Sequence, residues 1–166
     1  MAEAESDVER LERAWAAVRE LQDLAQEYGI DDIFQDNGAK VLQTMIKLGL
    51  KGIVGREGND AVDAEGNEYE LKTLNVSLGR SRGITTHHHL NLGILAKYRA
   101  VHAWYIALYE GIALKEIYRL TPQALDPIFR VWEDRLRASG DRPLNNPKIP
   151  IRFVREYGTL VYPSVS

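Results

Sequence analysis

The chain has 166 residues, 45% of them hydrophobic, a net charge of −3 and no cysteine. That length suits one domain with a sizeable core, and the lack of cysteine excludes disulfides and thiolate metal sites. No run of about 18 apolar residues offers a membrane span, and the acidic start Met1-Ala2-Glu3-Ala4-Glu5 lacks an apolar signal core, so the expected location is cytoplasmic. Taken in chain order, Ser6-Asp7-Val8-Glu9 reads as a capping box. Val8, Leu11, Trp15, Val18, Leu21, Ala25 and Tyr28 then recur at helical spacing and stop at Gly29. That stripe needs a partner, either the domain's own core or the same helix of a second subunit.

A second helix is predicted from Gly38 to Leu48, ended by the glycines at 49, 52, 55 and 58. Arg56–Asn59 is polar loop. Asp60–Asp63 is short and extended, Ala64-Glu65-Gly66-Asn67 is a turn, and Glu68–Leu74 is a strand. Residues 77–86 read as a Gly/Ser/Arg/Thr loop and Leu90–Arg99 as a helix. Ala103–Tyr109 and Leu114–Leu120 flank Glu110-Gly111 as a core hairpin. Thr121-Pro122 opens a helix running to about Ala138 and stopping at Gly140. Asn145–Pro150 reads as an ordered loop, Arg152–Tyr157 as a short helix and Thr159–Tyr162 as a last strand. The expected fold is α/β (α+β): a small central mixed sheet flanked by helices.

The net charge is a weak filter against nucleic-acid binding, because phosphate is held by a local basic face. Acidic residues crowd the first 36 positions and 57–70, whereas Arg80, Arg82, Lys97, Arg99, Lys148, Arg152 and Arg155 come later.

Alternation along the strand puts Glu68, Glu70 and Lys72 on one face and Tyr69, Leu71 and Thr73 on the other. Glu70 and Lys72 then have Cα atoms roughly 6.5–7 Å apart. The turn at Glu65-Gly66 folds Asp60 back towards Glu70 or Leu71. Two carboxylates and an ammonium suit phosphodiester hydrolysis. Carboxylates, with waters and phosphate oxygens, hold Mg²⁺, and the metal activates water and stabilises the leaving group. A neighbouring lysine holds the attacking water or, with a lowered pKa, takes its proton. The same Asp…Glu-x-Lys spacing also fits a solvated, charge-paired hairpin face.

The run His87-His88-His89 has three readings: an exposed helix-entry loop, a Zn²⁺ or Ni²⁺ site, or base readout. Adjacent histidines seldom converge on one ion, whereas an imidazole N–H can donate to guanine O6 or N7. Asn145-Asn146 before Pro147 is either a turn pair or an amide able to pair both ways with adenine. Lys148 beyond it could bind phosphate.

Several strings occur in a fixed order: Ile33-Phe34-Gln35-Asp36-Asn37-Gly38, Gly55-Arg56-Glu57-Gly58-Asn59-Asp60-Ala61-Val62-Asp63, Tyr69-Glu70-Leu71-Lys72, Thr86-His87-His88-His89, Ala96-Lys97-Tyr98-Arg99 and Asn145-Asn146-Pro147-Lys148-Ile149-Pro150. From about Leu21 to Tyr162 the chain resembles the PvuII family of type II restriction endonucleases. The resemblance implies a homodimeric, Mg²⁺-dependent enzyme with the D…ExK core, formed by one domain over 1–166, with residues 1–36 the N-terminal helix and dimerisation region and 37–166 the catalytic and recognition core. It implies double-stranded DNA as substrate, cut at the centre of CAGCTG to blunt ends with 5′-phosphates, and a companion DNA methyltransferase.

By the same resemblance the metal-binding residues match Asp60 and Glu70, the catalytic lysine Lys72, a tyrosine near the site Tyr98, and an additional glutamate Glu57. The base-contacting histidines match His88 and His89, with His87 alongside. The adenine-contacting asparagine matches Asn146, beside Asn145, and a residue near the minor groove matches Asp36. The loop 77–84 is longer than the family pattern, so Arg80 and Arg82 could add phosphate contacts or alter readout of the outer base pair. The N-terminal helix also diverges in sequence while keeping its stripe. Two other classes stay open: a non-catalytic DNA- or metal-binding module, and a nuclease of the same core with repair or junction specificity.

Overall fold

The computed structural model describes residues 5–53, 60–79 and 83–164, Asp60 in its backbone only. The first helix, α1 (Asp7–Glu27), starts at the predicted capping box, with the Ser6 hydroxyl accepting from the Glu9 amide and the Glu9 carboxylate accepting from Ser6 N at 2.8 Å. It ends before Gly29, whose positive φ of 77° closes the turn. Next, α2 (Gly38–Leu48) matches its predicted bounds and buries Val41, Leu42, Thr44 and Met45.

Six strands form one mixed sheet: β1 (Lys51–Gly52), β2 (Asp60–Val62), β3 (Glu68–Asn75), β6 (Ala103–Glu110), β7 (Ala113–Leu120) and β10 (Thr159–Tyr162), in that spatial order. Among the described residues only β3 and β6 are parallel neighbours in this sheet; the others run antiparallel. The parallel step needs a long crossover. It carries β4 (Gly83–Thr85), β5 (His89–Leu90) and α3 (Leu92–Ala100). After the β6–β7 hairpin, α4 (Pro122–Ala138) starts with Thr121 capping the Ala124 amide and proline at the first helical turn, where no backbone N–H is missed. Two short strands, β8 (Leu144–Asn145) and β9 (Lys148–Pro150), and α5 (Ile151–Tyr157) lead into β10.

Both faces of the sheet are covered, which is why β6 is apolar almost throughout. Trp104, Ile106 and Leu108 point into a core with Leu95 and Tyr98 of α3 and Leu125, Phe129, Trp132 and Leu136 of α4. On the other face Ala61, Tyr69, Leu71 and Ala103 pack on Val41 and Met45 of α2. Among the described residues no helix is long and apolar enough to cross a membrane.

Three expectations are corrected. Residues 77–86 are not all loop, because Gly83–Thr85 pairs with Lys148–Pro150. Residues 145–150 are not all loop either, because Leu144–Asn145 pairs with His89–Leu90. Leu90 is strand rather than the start of α3, and the helix begins after Asn91, whose side chain accepts from the Ile94 amide at 2.9 Å. These ribbons join segments some sixty residues apart, and local periodicity carries no trace of such pairing.

Candidate active site

The hairpin β2–β3 brings the predicted pair together. Its register sets Asp60 opposite Glu70, Ala61 opposite Tyr69 and Val62 opposite Glu68. Tyr69 and Leu71 go into the α2 core, as their alternation predicts. Glu70 and Lys72 lie in register with Trp104 and Ile106 of β6, on the sheet face carrying α3 and α4. There the Lys72 ammonium sits 2.6 Å from a Glu70 carboxylate oxygen, with 14% and 8% of the two side chains exposed. A charge pair this dry is costly to desolvate, so the solvated hairpin face considered from spacing is not what forms. Glu57, Arg80 and Arg82 lie outside the described residues. Among the described residues no three His, Asp or Glu side chains converge as a preformed cluster.

The second group of predicted residues meets on a two-ribbon platform. In β5–β8, His89 stands opposite Asn145, and its Nδ1 lies 3.0 Å from the Asn145 side-chain oxygen. His88 Nδ1 lies 2.8 Å from the Asn146 side-chain oxygen. An amide oxygen only accepts, so each imidazole donates from Nδ1. Asn146 adopts a positive φ of 48°, a conformation asparagine tolerates better than most residues. His87 Nδ1 accepts from the His89 amide at 3.0 Å. Partial desolvation lowers the pKa of the surface residue His87 below its ordinary range, and the nearby Lys72 cation adds to the effect. His87 is thus hydrogen-bonded to the histidine segment's backbone and lies near enough to Lys72 to feel its charge.

In β4–β9, Thr85 faces Lys148, whose side chain is exposed. This pairing needs Gly83, since a Cβ there would stand 2.8 Å from the Ile149 carbonyl oxygen. Asp36 lies apart from both groups in the α1–α2 connection, exposed and with φ of 47°.

Tyr98 is buried, edge-on to Trp104 and stacked near Phe129. Its hydroxyl donates to the Thr86 carbonyl at 2.9 Å. Thr86 is one of few buried polar residues among those described, and both its amide and its hydroxyl donate to the Pro147 carbonyl. Sequence reasoning missed Thr86 as a tie between the histidine and asparagine segments. A threonine directly before the histidines was the available signal, but its partner is sixty-one residues away.

The hairpin pair and the platform together offer charge for phosphoryl chemistry beside polar side chains able to meet base edges. A comparison with protein families agrees. The model described as restriction endonuclease PvuII matches residues 6–162 of the chain. Enzymes of this kind act on DNA and generally use a divalent metal ion. The match spans every element described above, so the chain belongs to the PvuII restriction endonuclease family and is a type II site-specific deoxyribonuclease.

Proposed function

We propose that this endonuclease hydrolyses double-stranded DNA at the palindrome CAGCTG, cutting centrally to leave blunt ends with 5′-phosphates, with Mg²⁺ as its metal. The observation that carries the reading is the nearly dry Glu70–Lys72 pair on a hairpin whose register pairs Glu70 with Asp60. The hard oxygen donors of Asp60 and Glu70, with Glu57 as a further carboxylate, suit Mg²⁺. When bound, Mg²⁺ supplies a Lewis acid for the scissile phosphate. Lys72 orients the attacking water or accepts its proton, close enough to Glu70 to share that water. Tyr98 serves the site from beneath, through the Thr86 carbonyl.

His88, His89, Asn145 and Asn146 read base edges in the major groove, His87 links them to Lys72, and Asp36 meets the minor groove. Lys148, Arg80 and Arg82 contact phosphates, so the segment 77–84 tunes the outer base pair. A palindromic target fits a two-fold homodimer in which each subunit cuts one strand. Val8, Leu11 and Trp15 of α1 are 68%, 59% and 45% exposed, and Trp15 stacks on the exposed Phe34 at 5.9 Å. That apolar surface supports a dimer through the N-terminal region. A companion methyltransferase protects the host's own sites in the cytoplasm. Digestion of plasmid with Mg²⁺ and sequencing of the ends tests the reading. Blunt cuts within CAGCTG are expected, and ends elsewhere or staggered contradict the proposed target.

A further inference from the structure

The turn between β2 and β3 is built around one carboxylate. Asp63 Oδ1 accepts from the Glu65 amide at 3.0 Å and the Asn67 amide at 2.9 Å. Asp63 Oδ2 accepts from the Asn67 side-chain amide at 2.9 Å and the Tyr69 hydroxyl at 2.8 Å. The backbone closes over the same residues, with the Asp63 amide donating to the Asn67 carbonyl and the Gly66 amide to the Asp63 carbonyl. Gly66, at φ of 84°, makes the reversal.

Tyr69 is itself fixed. It is 6% exposed, edge-on to His102 and tilted against Tyr105 on the neighbouring strand β6. Asp63 thus ties the end of β2 to a residue of β3 whose ring is anchored in the α2 core. The tie matters because, among the described residues, β2 is three residues long, with one neighbour in β1 of two residues. So short a strand has few ladder bonds to hold its register, and a slip of one residue would move Asp60 away from Glu70.

We propose that Asp63 is a positioning residue for the nuclease, a clamp that acts through Tyr69 and Asn67 to hold β2 in the register that sets Asp60 opposite Glu70. The inference rests on the metal-binding reading of Asp60 and Glu70 given above. Asp63 does not touch the reacting atoms. Its effect is on the affinity of the carboxylate pair for metal, as with other groups that orient ligands from behind.

The test compares full-length Asp63→Asn and Tyr69→Phe with the unmodified chain in two measurements. Cross-strand nuclear Overhauser contacts between Asp60 and Glu70 read the register without metal. Titration with Mn²⁺, followed by electron paramagnetic resonance, reads the metal site. Asp63→Asn keeps the size of the side chain but puts a donor where Oδ2 accepts from the Asn67 side-chain amide and the Tyr69 hydroxyl. Tyr69→Phe removes one hydroxyl and leaves the core ring. Weakened cross-strand contacts with an Mn²⁺ midpoint raised about tenfold in both variants are expected, the lower end of what such orienting groups cost. Near-ultraviolet circular dichroism confirms that Tyr69→Phe is folded, so that variant decides the matter if Asp63→Asn is not. Unchanged register and midpoint in folded Tyr69→Phe overturn the clamp. Failure of the unmodified chain to bind Mn²⁺ more tightly than Glu70→Ala overturns the metal reading instead, while the register measurement still tests the clamp.

Discussion

Glu70 and Lys72 form a nearly dry ion pair, whose desolvation is costly, and the proposed mechanism gives that pair its use in cleavage. Lys72→Ala is expected to slow cleavage by about 10²–10⁴-fold, the usual contribution of a positioned proton-transfer group, with specific DNA affinity retained in a mobility-shift titration. Asn146→Ala should do the reverse, losing specific binding by about 1–3 kcal/mol for a two-point base contact, measured against DNA altered at one base pair. Asp63 gives a pH prediction. Hydrogen bonding, from Asn67 first, holds its carboxyl at about 2, below the ordinary 3.8. The folded value is the lower one, so its stabilisation is full above pH 3.8 and is lost as pH falls through about 2. Asp63→Asn should therefore flatten the acid limb of the stability curve in that window, followed by circular dichroism in urea. At this scale the sequence was informative where spacing is local: Glu70-x-Lys72 meets because a strand repeats every second residue. The pairing of His88 with Asn146 and the tie from Thr86 to Pro147 were not legible, because their partners are brought together by the fold.

Elements with strong local signals were readable almost to the residue. The capping box set the start of α1, the glycine at 49 the end of α2, and Thr121-Pro122 the start of α4. Each rests on backbone groups that only a nearby residue can satisfy. The ribbons β4–β9 and β5–β8 failed that test, since two- and three-residue strands have no period to read and exist only because the other half is present. The Thr86 tie between them carries its own expectation. Thr86→Val keeps the shape and the backbone bond but removes the hydroxyl that reaches Pro147. Loss of that buried bond should cost about 1 kcal/mol of stability, and displacement of the histidine segment should weaken specific binding more than non-specific binding, compared in paired titrations at one salt concentration.

Across the whole molecule, the sheet and its crossovers hold two separate groups of side chains, to which the proposed function gives two tasks. The β2–β3 hairpin presents the charged pair, the crossover and the segment after α4 supply the platform, and α1 extends an apolar face that the other described residues leave partly uncovered. From the sequence, the α1 stripe fitted an internal core and a partner subunit equally well. In the structure Ala25 and Val18 pack inward while Val8, Leu11 and Trp15 stay exposed, the surface the proposed dimer would cover. Leu11→Asp with Trp15→Asp should halve the mass measured by light scattering and abolish linearisation of plasmid, because each subunit of the proposed dimer cuts one strand.

The central claim is that Glu70 and Lys72 form the cutting centre of a divalent-metal nuclease. Its most direct test is single-turnover cleavage of a duplex containing CAGCTG by the unmodified chain, Glu70→Ala and Lys72→Ala, with Mg²⁺ and with chelator, alongside binding of the same duplex. Rapid cleavage by the unmodified chain with Mg²⁺ alone, and bound but uncut duplex for both variants, is the predicted result. Cleavage by either variant at a rate comparable to the unmodified chain would contradict the account.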